Sequence, residues 1–433
     1  MSKHRPQTAG EARRVIEGLL AAGLRAVDPR RKVAETLSAE SWLIGDTHPT
    51  VIAIGKAAAS MAMGARDALG DRIGSGIILT KDGHAVDPPS GFTVFEAAHP
   101  VPDQRGLDAS RAIIDAITGL APDHLVLTLI SGGGSALLEL PRPPVTLPDL
   151  QVTTSLLLRA GAPIEHLNDV RGELSMVKGG GLRRKMGAAQ CITLILSDVL
   201  GNDPSVIASG PTVQRVPDPN GALRLLERYD LLARVPAPVL HVLSRSQSPV
   251  ESMPAAGVRD EFRILADNDL FIDAIVAEVE RRNLRSSVAW RRHEGEAWEL
   301  GRSFARMVTG GAEEIDIVIG GGEATVTVVG EGVGGRNTEF ALAAGLELMN
   351  APGGDRWVIA SIASDGQDGS VEAAGAVTSA ASIREAHRTG LDPDDALARN
   401  DSGGYFDGTG ELIRTGPTGT NVNDVMIGLR LGS

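Results

Sequence analysis

Leu125-Val126-Leu127-Thr128-Leu129-Ile130-Ser131-Gly132-Gly133-Gly134-Ser135-Ala136-Leu137-Leu138 is the stretch that decides the fold. The apolar run Leu125–Ile130 is short and bounded by turn residues, which reads as a strand buried on both faces of a parallel sheet. It spills into three glycines flanked by serines and then resumes as a helix. Without a Cβ, glycine lets successive backbone N–H groups converge on an oxyanion, and the helix N-terminus that follows adds partial positive charge. Ser131, Gly132, Gly133, Gly134 and Ser135 are therefore candidate ligands of a phosphate or carboxylate. The competing reading is a tight strand–helix turn.

Two further segments share the form. Val51-Ile52-Ala53-Ile54-Gly55-Lys56 ends a strand in Gly-Lys, and Ile315–Ile319 leads into Gly320-Gly321-Gly322-Glu323. Three strands ended by glycine point to a phosphate-handling enzyme. Aromatics make up only 3% of the chain against 52 glycines, so the cores must rest on Val, Ile, Leu and Ala, as parallel α/β sheets allow. A formal charge of −13 argues against nucleic-acid or anionic-membrane partners. The single cysteine, Cys191, stands in the apolar run Cys191-Ile192-Thr193-Leu194-Ile195-Leu196, which excludes an intramolecular disulfide and predicts a buried thiol. No apolar segment follows Met1–Pro6, and no run approaches the ~18 apolar residues of a membrane span, so a cytoplasmic protein is expected.

A chain of 433 residues exceeds what one core usually serves. Strand-like runs at 50–54, 76–80, 92–96, 124–130 and 191–196 alternate with helical ones near 57–69, 105–118 and 135–139, the pattern of a doubly wound parallel sheet. Between about 212 and 260, Pro217, Pro219, Pro236, Pro238, Pro249 and Pro254 break the alternation, and a domain boundary is expected near 245. A second series follows: strands 262–266, 286–290, 315–319, 324–329, 357–363 and 424–430, with helices 269–283, 294–308 and 337–349. The expectation is a larger N-terminal domain, 1–245, and a smaller C-terminal α/β domain, 246–433.

Polar residues collect at the strand ends. Lys56 stands at the carboxyl end of a strand, where α/β folds bind ligands. Asp198 in Ser197-Asp198-Val199-Leu200-Gly201-Asn202-Asp203 can hold Mg²⁺ or orient a hydroxyl; Asn202 and Asp203 serve equally well as turn residues. Ser209 and Gly210 continue this polar stretch. After Glu323, Gly334-Gly335-Arg336-Asn337 presents a planar cation suited to phosphate or carboxylate, with a salt bridge to Glu339 as the alternative. Asp365 and Asp368 in Ser364-Asp365-Gly366-Gln367-Asp368-Gly369 resemble a calcium loop but lack its twelfth-position glutamate; they could serve a metal or a polar substrate. Thr415–Asp424, with Asn423, is too rich in hydroxyls and amides for a simple linker. His99, before Pro100, could touch a ligand. Neither a Gly-x-x-x-x-Gly-Lys-Ser/Thr loop nor a Gly-x-Gly-x-x-Gly after the first strand is present.

Together these segments closely resemble the class II glycerate 2-kinases, which join an N-terminal glycerate-kinase domain to a MOFRL domain. The resemblance rests on Ala53–Ala58, Glu96–Asp103, Ile130–Leu137, Ser197–Pro204, Ile207–Thr212, Gly321–Val326, Gly334–Asn337 and Gly416–Asp424, in this order and nearly end to end. It implies a Rossmann-like N-terminal domain with the active site in a cleft between two domains. The implied reaction moves the γ-phosphoryl of ATP to the 2-hydroxyl of D-glycerate with Mg²⁺. Lys56, Asp198 and Arg336 would be catalytic or substrate-contacting. Ser131–Ser135, Asn202, Ser209, Gly210, Glu323, Asn337 and Asn423 would touch substrate or nucleotide, and Asp198, Asp365 and Asp368 the metal.

The chain departs from the family at Gly172-Glu173, where relatives carry Lys-His, at Ser364 and Ser370-Val371, and over Asn400–Phe406. These changes admit another 2-hydroxy acid or sugar acid as acceptor. An oxidoreductase acting on hydroxypyruvate or a tartrate-pathway intermediate is the alternative class, after an older label of some members. A sugar-acid sensor without turnover is a third. Oligomeric state is left open.

Overall fold

The computed structural model describes residues 5–245 and 258–432. The chain forms two compact units. One spans Pro29–Leu265; the other joins the chain up to Asp28 to everything from Ala266 onward.

The Pro29–Leu265 unit is built on a six-stranded sheet of β1 (Thr50–Ile54), β2 (Ser75–Lys81), β3 (Phe92–Ala97), β4 (Leu125–Ile130), β5 (Gln190–Leu196) and β6 (Asp260–Ala266). Their order is β3-β2-β1-β4-β5-β6, and the ladders joining β1 through β5 are parallel. β1, β4 and most of β5 are fully buried, which explains their unbroken apolar runs. This is the Rossmann order. From β1 the chain winds outward one way and from β4 the other, so a crevice opens beyond their carboxyl ends, at the reversal point. The residues just past those ends are Gly55-Lys56 and Ser131-Gly132. A core of Ile52, Ile54, Leu79, Val126 and Leu137 takes in Ile113 of the helix Gln104–Ile117.

The compact units do not divide at the expected boundary near 245. The prolines imitate a linker, but the helices Pro219–Arg228 and Ala237–Arg245 pack Leu226, Val239 and Leu243 against Leu157, Leu167 and Val170 in an apolar cluster of this unit. The fully buried Arg183 donates from Nε to Asp260 at 2.7 Å, fastening β6 to the first unit, so strand 262–266 closes the first series and does not open the second. The stretch 246–257, with Pro249 and Pro254, lies outside the described residues.

The other unit has a mixed sheet. It comprises β7 (Ser286–Glu296), β8 (Ile317–Thr325), β9 (Trp357–Ala363), β10 (Gly375–Ser379), β11 (Leu412–Ile413) and β12 (Asp424–Arg430), ordered β11-β10-β9-β12-β8-β7. Among the described residues of this sheet only β7 and β8 pair in parallel; β12 is antiparallel to both β8 and β9. The N-terminal helix Ala9–Ala26 belongs here too: Gly23 leaves the space that the Phe271 ring of helix Asn268–Arg281 fills. Gly320-Gly321-Gly322 does not end a strand. β8 continues through all three, because the Trp290 ring, Ile272 with Asn268, and the His293 backbone occupy the places of their missing side chains. A sequence signal for a turn here marks crowding.

Candidate functional site

In the Pro29–Leu265 unit the two strand ends at the reversal point grip each other. Gly55 has φ +118°, a conformation suited to glycine, and a Cβ there would collide with the Ser131 backbone. The Ser131 amide donates to the Ile54 carbonyl at 3.0 Å, and the Lys56 amide donates to the Gly132 carbonyl at 2.9 Å. The buried Ser131 hydroxyl accepts from the Ala57 amide at 3.0 Å and donates toward the Ile54 carbonyl. Ser131 is thus turned inward and positions Lys56. The His84 ring donates from Nδ1 to the Lys56 carbonyl at 3.2 Å. At Gly133 (φ +81°) a Cβ would lie 3.2 Å from both the His99 ring and Lys56 Cγ, so lysine and histidine flank the glycine turn.

The helix expected near 135–139 is a single turn, Gly134–Leu137, too short to carry a useful dipole. What holds the turn is side-chain chemistry. Ser209 donates to Asn168 Oδ1 at 3.1 Å, so the 2.8 Å bond between the Ser135 and Ser209 hydroxyls runs from Ser135 to Ser209. Ser209 sits in a left-handed stretch: φ is +52° at Ala208, +61° at Ser209 and +57° at Gly210. Two consecutive non-glycine residues in this region are costly, and such strain concentrates at functional sites. Gly134 is glycine because Ala208 approaches to 2.9 Å of where a Cβ would stand. A cavity of about 340 Å³ adjoins this loop, bordered by Asn168, Asp203, Ser209 and Arg215. Asp198 and Asn202 (φ +59°) stand beyond the carboxyl end of β5, while Asp203 accepts from the Ser205 amide at 2.8 Å as an ordinary turn residue.

Burial pushes the Cys191 thiol up to about 11, which removes it as a nucleophile. Glu173, at one of the departures from the family pattern, accepts from the Asp218 amide at 2.8 Å. Burial raises its carboxyl, opposed by that bond and by Arg215, Arg142 and Arg184. Its charge is therefore compensated locally.

In the other unit, Arg336 opens the helix Arg336–Asn350 and is held by two carboxylates. Nε and Nη2 donate to the two oxygens of Asp424 at 2.6 and 3.0 Å, and Nη1 donates to Glu323 at 2.9 Å. Asn423 Nδ2 donates to the other Glu323 oxygen at 2.9 Å. Three of the five guanidinium donors are used, leaving two for a ligand. Arg336 does not pair with Glu339, which accepts instead from Asn400 at 3.2 Å. Burial alone would lower the Arg336 pKa, but Asp424 and then Glu323 hold it above its ordinary value. Burial raises Asp424 while Arg336 opposes the shift.

Asp368 caps this same helix. Its Oδ1 accepts from the Asn337 amide at 2.8 Å, and its Oδ2 accepts from the Thr338 amide and hydroxyl at 2.8 and 2.9 Å. Buried and committed in this way, it does not fit the metal role expected from sequence. Asn337 is likewise inward, taking the Ser361 hydroxyl at 2.6 Å. Asp365 accepts from the Gln367 amide at 3.0 Å in a local turn. Among the described residues no group of three or more His, Cys, Asp or Glu side chains is arranged to hold a metal ion. Replacing Asp368 by Ala should cost about 2 kcal/mol, read as a lower urea midpoint with unchanged slope. A midpoint shift that depended on added Mg²⁺ would restore the metal role.

Sequence reasoning missed Gly330-Glu331-Gly332-Val333-Gly334-Gly335, a Gly-x-Gly-x-x-Gly between β8 and a helix. It is not a dinucleotide loop. The Asn337 and Thr338 amides already belong to Asp368, and Gly330 and Gly332 make room for the backbone of Arg399 and Asp401. Asn168, Lys178 and Asp424 were also missed, since only the fold carries them to the site residues. Thr418 and Val422 bond Ser364, seating the Thr415–Asp424 segment beside Asp365.

Residues 15–244 match a family model described as a domain of unknown function, DUF4147, and residues 316–424 match the MOFRL family. A protein of Agrobacterium vitis named "Putative hydroxypyruvate reductase" is 38% identical over 96% of this chain and 93% of its own. The D-glycerate 2-kinase of Thermotoga maritima is 35% identical over 94% of this chain and 95% of its own. A crystal structure of glycerate kinase from Thermotoga maritima superposes with a TM-score of 0.87 at 33% identity, covering 98% of this chain and all of the other. Among the described residues no helix is long and apolar enough to cross a membrane.

Proposed function

The chain belongs to the class II glycerate 2-kinase family, and from that premise we propose that it transfers the terminal phosphoryl of ATP to the 2-hydroxyl of D-glycerate. The observation that carries the reading is the pairing of Lys56 with the Gly132-Gly133 turn at the reversal point of a Rossmann-ordered sheet.

Phosphoryl transfer passes through a loose transition state whose charge lies on the phosphoryl oxygens, so positioning and charge neutralisation dominate. Lys56 supplies a point charge beside the turn, and the turn's backbone holds anionic oxygens. Arg336 offers its two remaining donors to the substrate carboxylate or the migrating group. Its paired carboxylates fix the plane of the fork, so little orientational freedom is lost on binding. A transition state of this kind asks little of a general base, which lets Asp198 serve the metal instead of the hydroxyl.

Mg²⁺ keeps most of its waters and needs only one or two protein carboxylates besides the nucleotide phosphates. A half-buried aspartate beyond β5 fits that demand, and Asp198 is the residue that would hold it. Bound there, the ion would draw charge from the phosphate oxygens.

Phosphorus NMR of a reaction of D-glycerate with MgATP tests the reading. The expected product is 2-phosphoglycerate. Hydroxypyruvate-dependent consumption of NAD(P)H, with no phosphorylated product from D-glycerate or related sugar acids, would overturn it.

A further inference from the structure

We propose that Lys178 is a positioning residue of the transfer reaction: its buried ammonium clamps the carbonyls behind the glycine turn, and Gly179-Gly180 tie the same brace to Ser209 and Gly210. Lys178 is fully buried. Its Nζ donates to the Ser135 carbonyl, to the Leu138 carbonyl at 3.0 Å and toward the Ser135 hydroxyl at 3.4 Å. These acceptors stand at the end of the single helical turn Gly134–Leu137, where carbonyls lack partners along the chain and a cation is favourable. Two charged groups face the amine. Glu139 is fully buried, with Oε2 3.4 Å from Nζ, and Arg171 on the helix Ile164–Leu174 reaches both Glu139 at 3.4 Å and the Ser135 carbonyl at 3.2 Å.

The backbone just after Lys178 completes the brace. The Gly179 amide donates to the Ser209 carbonyl at 2.9 Å and the Gly180 amide to the Gly210 carbonyl at 2.8 Å. Both glycines have positive φ, +53° and +77°, and a Cβ on Gly180 would strike the Val213 carbonyl. One short stretch therefore fixes both partners of the Ser135–Ser209 hydrogen bond, Ser135 by a side chain and Ser209 by main chain. A buried lysine is an expensive way to fill a core. Its three donors meet carbonyl, hydroxyl and carboxylate oxygens in a segment that carries the phosphate turn. Lys178 touches neither substrate nor nucleotide in this scheme; it acts through Ser135.

Burial lowers the Lys178 pKa to about 8, with Glu139 opposing that shift and Arg171 adding to it. Below that pH the clamp is charged. Above it the charge assistance to the Ser135 and Leu138 carbonyls is lost. Global stability moves the other way: between about 8 and the ordinary lysine range the unfolded chain binds more protons, so this group makes folding more favourable as pH rises. An alkaline loss of turnover from this source is thus not unfolding.

The catalytic consequence rests on the kinase reading; the brace itself does not, and the experiment separates them. Hydrogen exchange of the Ala136, Leu137 and Leu138 amides is followed in wild type, Lys178→Met and Lys178→Arg, beside kcat and KM for D-glycerate with MgATP. In Lys178→Met, protection of these three amides should fall about 10-fold while β4 amides hold, and kcat should fall about 30-fold with KM within about 3-fold. In wild type, protection and kcat should both decline as pH rises through about 8, and Lys178→Arg, charged throughout, should lack that limb. Unchanged protection in Lys178→Met overturns the proposal. Should that variant not fold, the same alkaline limb in Lys178→Arg as in wild type overturns it. Loss of protection as described, in an enzyme that phosphorylates no acceptor, instead overturns the kinase reading.

Discussion

Lys56→Ala is expected to lower kcat/KM by ~10²-fold or more, about 3 kcal/mol of transition-state stabilisation, while leaving the melting temperature near wild type. The two halves of this expectation come from different atoms. The main chain at position 56 holds the strand ends together through the Gly132 carbonyl and the His84 ring, and alanine keeps both bonds. The side chain is half-buried, lies against Gly133 and His99, and supplies charge next to the glycine turn. Loss of the charge should therefore lower kcat without loosening the sheet. Near-normal kinetics in a folded Lys56→Ala protein would remove Lys56 from the mechanism. A matching fall in stability would show that the side chain is structural.

Arg336→Ala should cost activity and stability together. Its guanidinium is the partner of Asp424, whose side chain is completely buried, and of Glu323, which is still half exposed. Removing one member of a buried ion pair leaves the other uncompensated, at about 3–5 kcal/mol; the 30% exposure of the Arg336 side chain places this case at the low end. The kinetic loss should again be ~10²-fold or more in kcat/KM. A second substitution distinguishes the two losses. In Arg336→Ala/Asp424→Asn the stranded charge is gone, so the urea midpoint should recover most of the way while turnover does not. Recovery of both would mean that Arg336 serves only to neutralise Asp424. Arg336→Lys should be intermediate in stability and poor in catalysis, because a single ammonium cannot reproduce a fork shared between two carboxylates.

Much of the Pro29–Leu265 unit can be read directly from its strands. Buried parallel strands are continuous apolar runs, and each is bounded by glycine, proline or polar turns, so 50–54, 124–130 and 191–196 stand within a residue of where they form. The placement of Lys56, Gly132–Ser135 and Asp198 past the carboxyl ends of strands, where ligands lie in such folds, is legible for the same reason, because these residues come next in the chain. The prolines around 245 mislead because proline reports local backbone geometry, whereas Leu226 and Val239 belong to a core that no local pattern displays. Gly320–Gly322 imitates a strand end because missing side chains signal either a turn or a crowded neighbour. Trp290, which provides the crowding, is 30 residues away from Gly320.

By itself, then, the sequence determined which residues follow the buried strands, the α/β class and the family. Period, turn chemistry and motif order are local properties written along the chain. Tertiary structure alone decided what the polar residues do. Asp368 became a helix cap because the fold delivers the amides of Asn337 and Thr338 to it. Ser131 turned inward, Arg336 acquired Asp424 at a separation of 88 residues, and Lys178 came to rest behind a turn 43 residues earlier. A hydrogen bond or ion pair is short-ranged and directional, so its partner is set by three-dimensional placement, which spacing along the chain does not encode.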